Sequence, residues 1–327
     1  MRFGAFVPQG WRLDLAGRPR SEHWPLITAV ADTIERSGFE SLWVYDHFHT
    51  VPVPTQEPTY EAWTLMGALA ARTSTVRLGQ MCTSNSYRPP AYLAKVAATI
   101  DVISGGRLEM GIGAGWYEEE YLGYGYEFPR PSTRIGQLEE GVEIMRRMWT
   151  EEEVHYVGKY YQLAGAICQP KPVQRPHVPL WVAGGGEQLT LRVVARYGDY
   201  GNFGDTLDEF VHKRQILAGH CREISRDPDE ITLSSNFNVV IGATEAKVAE
   251  RLQWIHDHYA PIVPEKQLDR MDRLYRNGLV GTPEQIIEVL SKWRAAGLAY
   301  GICYFHDLGH TDEGLRLFAE QVIPALR

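Results

Sequence analysis

Residues 41–47 read Ser-Leu-Trp-Val-Tyr-Asp-His, and this stretch contains the pattern that decides the fold. Its apolar and aromatic residues follow one another without polar alternation, which is typical of a strand that is buried on both faces of a parallel sheet. Two titratable side chains, Asp46 and His47, end the run. Helical patterns flank it at about 25–37 and 61–72. We therefore interpret the stretch as the strand of a repeating strand and helix unit.

The same alternation continues along the 327 residues. We predict eight apolar strands, each followed by helical sequence, at 2–8, 41–47, 76–83, 108–115, 180–183, 199–203, 231–241 and 300–306. Eight such repeats favour an α/β fold, a closed (β/α)8 TIM barrel, over a doubly wound sheet, which should have polar edge strands. We expect one domain over 1–327, with its active site at the carboxyl ends of the barrel strands.

Two segments interrupt this alternation, and we interpret them as insertions near 151–179 and 259–280. The first contains a hairpin pattern that turns at Gly158-Lys159 and then a proline-rich stretch. The second is polar and irregular in pattern. Insertions of this length either shape the substrate entrance of a barrel or form surface excursions and subunit contacts.

Composition and charge limit the partners. The formal net charge of −8 and the pI of about 5.8 argue against nucleic acid or an anionic membrane as the main partner, but they leave room for a local basic pocket that binds a phosphate. Four dispersed cysteines without a CxxC motif indicate thiols in a reducing cytosol. No leader pattern opens the chain, and no apolar run approaches the ~18 residues of a membrane span. We expect a cytoplasmic protein.

The predicted carboxyl end of strand two carries candidate proton chemistry. Asp46 and His47 end the strand, and a histidine there can donate or accept a proton near neutral pH. The alternative is a structural histidine that caps a loop. A metal site would need a third ligand near His47 and His49, and the sequence offers none there.

Glycines mark the predicted ends of strands four and five. The GxGxG pattern of Gly111, Gly113 and Gly115 does not match the dinucleotide fingerprint, so we expect these glycines to let a flat ligand approach the backbone. Tight strand packing is the alternative. Gly184-Gly185-Gly186, directly before a predicted helix at 188–197, forms a candidate phosphate site, with a flexible turn as the alternative.

An ordered set of motifs spans nearly the whole chain. It comprises Trp-Val-Tyr-Asp-His-Phe at 43–48, Ser-Tyr-Arg-Pro-Pro-Ala at 86–91, Ser-Gly-Gly-Arg-Leu at 104–108, Gly-Ile-Gly-Ala-Gly-Trp-Tyr-Glu-Glu-Glu at 111–120, Pro-Lys-Pro-Val-Gln at 170–174, the triple glycine, and Gly-Thr-Pro-Glu at 281–284. The set resembles the luciferase-like monooxygenase family of flavin and deazaflavin barrels. It is most similar to the branch that uses the deazaflavin coenzyme F420.

The resemblance implies a role for each strand end. His47, with Asp46, would face the reactive carbon as proton donor or base, and a cis peptide bond would join Met81 and Cys82. The predicted cofactor-binding residues are Gln80, Met81, Cys82, Thr83, Ala114, Gly115, Trp116, Glu119, Gly184, Gly185, Gly186, Glu187 and Asn202, with the triple glycine holding the phosphate. Relatives of this type are often homodimers.

Two departures from the family pattern bear on the substrate. Met81 replaces a serine, and Trp116 stands where sugar-phosphate members have an acidic residue, so we expect an apolar or aromatic substrate instead. Three rival functions stay open: an FMN-dependent two-component monooxygenase on the same fold, a metal-assisted barrel hydrolase, and a non-enzymatic ligand-binding barrel. The hydrolase would need ligands from the end of strand two and from His306-Asp307. The direction of hydride transfer is also open.

Overall fold

The computed structural model describes residues 1–276 and 278–327, and all eight predicted strands are present in it. The strands in chain order are β1 Arg2–Phe6, β2 Ser41–Val44, β3 Arg77–Gln80, β4 Thr83–Ser84, β5 Leu108–Gly113, β6 Val154–Val157, β7 Gln162–Ala166, β8 Leu180–Ala183, β9 Tyr200–Asn202, β10 Thr232–Ile241, β11 Leu279–Gly281 and β12 Tyr300–Phe305.

The helices follow the strands as predicted. They are α1 Arg20–Arg36, α2 Ala62–Arg72, α3 Pro90–Ile103, α4 Glu118–Gly123, α5 Pro131–Thr150, α6 Thr190–Tyr197, α7 Leu207–Glu223, α8 Glu245–Tyr259, α9 Glu265–Arg276, α10 Pro283–Ala295, α11 Glu313–Leu317 and α12 Ile323–Leu326. A π-helical turn at Phe318–Val322 joins the last two. No helix among the described residues combines the length and apolar character that crossing a bilayer requires.

The chain divides into two compact units. The first unit comprises Met1–Glu61 and Ser234–Arg327. Its strands lie in the order β2-β1-β12-β10-β11, and every neighbouring pair is parallel. Each residue of β2 and β12 is buried, which agrees with the apolar runs that predicted them.

The second unit comprises Ala62–Leu233. Its parallel strands lie in the order β3-β5-β8-β9, and β4 pairs with β5. The predicted hairpin is confirmed, because β6 and β7 form a separate antiparallel pair in which Val157 lies opposite Gln162.

A buried arginine ties the start of the second unit together. The Arg107 guanidinium donates to the carbonyl oxygens of Ala70, Thr73, Val76 and Ser104 and to the Thr73 hydroxyl, at 2.7–2.9 Å. These bonds join the end of α2 to the segments that lead into β3 and β5.

The structure corrects the prediction of an irregular segment near 259–280. Helix α9 occupies much of it, and Leu268, Met271 and Tyr275 are buried in one apolar cluster with Tyr259 of α8. Their spacing of three and four residues is helical, but the many charged residues between them obscured it. Asn277 and the side chains of Leu274 and Arg276 lie outside the described part of this segment.

Two histidines of α8 are half-buried, and each has a partner. His256 Nδ1 lies 2.8 Å from an Asp272 carboxylate oxygen of α9. His258 Nε2 lies 2.9 Å from the Leu13 carbonyl oxygen, and its ring stacks on Trp254.

Candidate active site

In the first unit, a glutamine holds the carboxyl end of β2. The Gln9 side-chain amide donates to the carbonyl oxygens of Tyr45 and Tyr60 at 2.7 Å each, and its oxygen accepts from the Tyr45 backbone amide at 2.7 Å. A buried side-chain amide whose donors and acceptor are all paired fixes the backbone segments that it bonds. The residues after Tyr45 therefore leave the strand in a defined direction.

Those residues are the predicted catalytic pair. Asp46 is buried and His47 is half-buried. The His47 ring stacks on the Trp11 indole, with centroids 4.3 Å apart and planes 4° apart, and Trp11 also contacts Tyr45 at 4.1 Å. The imidazole is thus oriented by an aromatic wall, and its role in proton transfer stays a prediction.

A polar cluster near this wall escaped the sequence analysis. Arg12 donates to the Asn238 side-chain oxygen at 2.5 Å, and its guanidinium lies 4.7 Å from the centroid of the Tyr304 ring. Asp14 accepts from the Gly10 amide at 2.6 Å and from the Tyr304 hydroxyl at 3.1 Å. Neither Arg12 nor Asp14 belongs to a predicted strand end, so no local pattern marked them.

The carboxyl end of β12 carries His306 and Asp307, which the hydrolase alternative would use as metal ligands. Asp307 instead forms a buried ion pair with Arg251. Within residues 1–276 and 278–327, no group of three or more His, Cys, Asp or Glu side chains is arranged to hold a metal ion.

In the second unit, the predicted cis peptide bond between Met81 and Cys82 is present. Thr83 donates its hydroxyl to the Gln80 side-chain oxygen at 2.7 Å. The Gln80 nitrogen is buried and has no hydrogen-bond partner among the described residues. Because a buried unpaired amide costs free energy, this nitrogen is a donor that suits a bound ligand.

The glycines that follow in β5 pack against protein atoms. A Cβ on Gly111 would overlap the Gln80 carbonyl oxygen, and a Cβ on Gly113 would lie 2.7 Å from the Cys82 sulfur. Gly115 has a φ of +78° and is packed against the Tyr121 hydroxyl. The interpretation of Gly111 and Gly113 as a ligand approach is therefore corrected to close packing of strand ends. Sequence alone cannot distinguish the two, since both need a missing side chain.

The triple glycine lies beside β9. Ala183 is in register with Asn202, and the Gly184 amide donates to the Asn202 carbonyl oxygen at 3.0 Å. Helix α6 begins at Thr190, two residues later than predicted, because the glycines are followed by a turn. The glycines are therefore not directly at the helix N-terminus.

A lysine supplies positive charge there instead. The Lys213 ammonium of α7 packs against Gly185, in the space that a side chain at that position would fill, and it pairs with Glu209 one turn earlier. Sequence analysis missed Lys213, which lies 28 residues from Gly185 along the chain. Its contact is a product of the packing of α7 against the loop.

Of the remaining predicted cofactor residues, Trp116 and Glu119 are exposed, and Ala114 and Glu187 are half-buried. Trp116 is 60% exposed and stacks on Tyr117, with centroids 5.1 Å apart. Glu119 is exposed at the start of α4. Burial, with Glu119 and Glu120 nearby, raises the pKa of Tyr117 to about 12, so this hydroxyl is neutral near pH 7.

A family model described as luciferase-like monooxygenase matches residues 1–300. The chain is 30% identical over 324 residues to an F420-dependent glucose-6-phosphate dehydrogenase of Nocardia farcinica (strain IFM 10152), covering 91% of this chain and 93% of the relative.

Solved structures agree on the architecture. A monooxygenase from Streptomyces bottropensis superposes with a TM-score of 0.82 at 22% identity, covering 100% of each chain. An F420-dependent secondary alcohol dehydrogenase, solved with an F420-acetone adduct, superposes with a TM-score of 0.80 at 23% identity, covering 100% of this chain and 99% of the other. The chain has a (β/α)8 TIM barrel fold, as the sequence predicted, and the protein is an enzyme. The chain belongs to the luciferase-like monooxygenase family.

Proposed function

We propose that this protein is a coenzyme F420-dependent oxidoreductase that transfers a hydride between the deazaflavin and a small organic substrate. The observation that carries the proposal is the similarity, over nine-tenths of the chain, to an F420-dependent dehydrogenase. We also propose that the 327 residues form one domain, that the protein is a cytoplasmic homodimer, and that its substrate is apolar or aromatic.

The residues of the second unit fit this cofactor. The unpaired Gln80 nitrogen offers a donor to a carbonyl oxygen of the ring system. Gly184 and Gly186 are exposed, and the Lys213 ammonium beside Gly185 adds a positive charge that suits a phosphate. When bound, F420 supplies a hydride carried on carbon, and the protein orients it and excludes competing reactions.

In the first unit, His47 would hold or move the proton that accompanies hydride transfer. Its ring is oriented by Trp11, and an imidazole can both donate and accept a proton. Asp46, buried at the same strand end, would help to orient the imidazole. His47→Ala should slow turnover more than it weakens cofactor binding. Equal loss of both would make His47 a cofactor ligand only.

A second candidate is an FMN-dependent monooxygenase, because the matching family model is described as luciferase-like monooxygenase, an activity that a flavin could support. Fluorescence titration of the apo-protein with oxidised F420 and with FMN separates the two. Tight binding of F420 supports the proposal, and tight binding of FMN alone overturns it. Binding of neither cofactor would also overturn it.

The phosphate site has its own matched control. Lys213 and Lys292 each pair with a glutamate one turn earlier on a helix, but only Lys213 lies beside the triple glycine. Lys213→Ala should weaken F420 binding about tenfold, the scale of one lost charge-assisted contact. Lys292→Ala should leave it unchanged, and neither variant should alter binding of the dephosphorylated deazaflavin. An equal effect on the dephosphorylated compound would remove the phosphate assignment.

A further inference from the structure

The carboxyl end of β12 holds a polar side chain that the chain does not satisfy. His306 is 1% exposed, and neither of its ring nitrogens has a hydrogen-bond partner among the described residues. Leaving a buried donor or acceptor unpaired destabilises the folded chain. Two such nitrogens on one ring indicate that a group from outside the chain pairs with them.

Two neighbouring groups share this property. The Nε of Arg12 is buried without a partner, although its Nη1 donates to Asn238, and the indole nitrogen of Trp11 is also buried without a partner. The Arg12 guanidinium lies 5.4 Å from the centroid of the Trp11 ring. The Arg12 guanidinium and the His306 ring both contact the Tyr304 ring, so these unpaired groups belong to one part of the first unit.

The walls of this cluster are aromatic. The His306 ring lies 3.8 Å from the Tyr275 ring and 4.6 Å from the Tyr304 ring, measured between centroids. Arg12 lies over the Tyr304 ring, and Trp11 continues the wall to the stacked His47. Flat aromatic faces with a few donors favour a planar ligand with a polar end.

The charges of the cluster favour a neutral ligand. Both carboxylate oxygens of Asp14 accept hydrogen bonds, from the Gly10 amide and the Tyr304 hydroxyl. This arrangement favours the ionised form, although burial raises the pKa of the carboxyl, and its charge offsets that of Arg12. Burial, with the charge of Arg12 nearby, lowers the pKa of His306 well below its ordinary value, so this ring is neutral with one N–H donor. A second carboxylate would add an uncompensated charge, whereas a carbonyl oxygen accepts hydrogen bonds without one.

We propose that Trp11, Arg12, Tyr275, Tyr304 and His306 form a substrate subsite for a planar conjugated ketone. The donors available to its carbonyl oxygen are the Arg12 Nε–H and the His306 ring N–H. The aromatic side chains contact the flat ring system of the ketone. The inference rests on the proposed function in one respect only: it assigns this ligand as the substrate of the hydride transfer.

The test uses a matched pair of probes with the full-length chain. 1-Indanone and indane have the same fused-ring skeleton, and only the first carries a carbonyl. In ¹⁵N spectra of histidine-labelled protein, the His306 ring signals are those that disappear in the His306→Phe variant. Addition of 1-indanone should shift these signals. Indane should not shift them. The absence of a shift with 1-indanone would overturn the subsite.

Affinities give the second readout. His306→Phe should weaken 1-indanone binding about tenfold, and indane binding should change little, because only the ketone loses a hydrogen bond. His306→Gln retains a donor and should recover part of the affinity, which keeps the test valid if the phenylalanine variant folds poorly. His310→Phe, at an exposed histidine outside the cluster, is the control. Equal losses for both probes would show that His306 only supports packing, and no loss for either would show that buried water satisfies its nitrogens.

The same variants separate this inference from the proposed function. F420 titration of His306→Phe should match that of the unchanged chain. If 1-indanone binds through His306 but F420 does not bind, the subsite stands and the proposed function fails. If F420 binds and the affinity for 1-indanone is the same with and without the His306 side chain, the subsite fails and the proposed function stands.

Discussion

Replacing Gly111 with alanine tests how closely the strand ends of the second unit pack. A Cβ at this position would lie far inside 3.0 Å of the Gln80 carbonyl oxygen, 3.1 Å from the Gln80 carbonyl carbon and 3.4 Å from the Met81 methyl carbon. The obstructing atom is backbone, so no rotamer change relieves the overlap. Strand β3 cannot move aside freely, because Leu78 and Gly79 are in parallel register with β5.

The magnitude follows from two opposing effects. Overpacking a filled interior costs about 1–3 kcal/mol, and a backbone obstruction places Gly111→Ala near the upper end. Alanine also reduces the conformational entropy of the unfolded chain relative to glycine, which stabilises the folded state by about 0.5–1 kcal/mol. We expect the free energy of unfolding to fall by about 2 kcal/mol. F420 affinity should fall as well, since Gln80 and Met81 must shift.

Gly67→Ala is the matched control. Gly67 lies inside α2, and a Cβ there meets nothing within 4 Å. Alanine has the higher helix propensity, so this variant should gain about 0.5–1 kcal/mol.

Urea denaturation measures both variants. If the free energy of unfolding falls by about 2–3 kcal/mol per molar urea, the urea midpoint of Gly111→Ala should drop by roughly 0.7–1 M. The midpoint of Gly67→Ala should rise slightly. A Gly111→Ala protein as stable as the unchanged chain, with unaltered F420 binding, would refute the close contact between β5 and Gln80.

Three further outcomes follow from buried or capping groups. Arg107→Met removes the donors of four carbonyl oxygens and one hydroxyl, so the free energy of unfolding in guanidinium should fall by about 3–5 kcal/mol; a loss under about 1 kcal/mol would mean that water replaces the guanidinium. Burial lowers the pKa of His306, so the unfolded chain binds more protons than the folded chain below about pH 6.5. The free energy of unfolding should therefore decrease as the pH is lowered through this range, by up to about 1.4 kcal/mol per pH unit. Between pH 7.5 and 5, the urea midpoint should change less with pH in His306→Phe than in the unchanged chain, and an identical pH dependence would contradict the lowered pKa. Thr206→Ala removes the side chain that accepts from the Glu209 amide at the start of α7, which should cost about 1 kcal/mol in thermal unfolding, whereas Thr206→Ser should retain the stability.

Local patterns in the chain predicted the architecture. The eight strands, the hairpin near 151–179 and the helices that follow the strands all appear where unbroken apolar runs, helical spacing and turn residues placed them. These signals are local, because each depends on residues that are neighbours in sequence. The cis bond between Met81 and Cys82 came from the ordered motifs of the family, which the full-length comparisons support. The charged residues of α9 show the limit of the same method, since they hid a helical apolar face.

Contacts between distant residues were decided only by tertiary structure. Lys213 reaches the triple glycine because α7 packs beside it, and Gly111 is needed because a carbonyl oxygen of another strand approaches it. Arg12 and His306 lie almost 300 residues apart, yet both line the aromatic cluster of the first unit. The position of a residue at a strand end follows from local periodicity. Which side chains meet there depends on register and packing across the chain, and those depend on the whole fold.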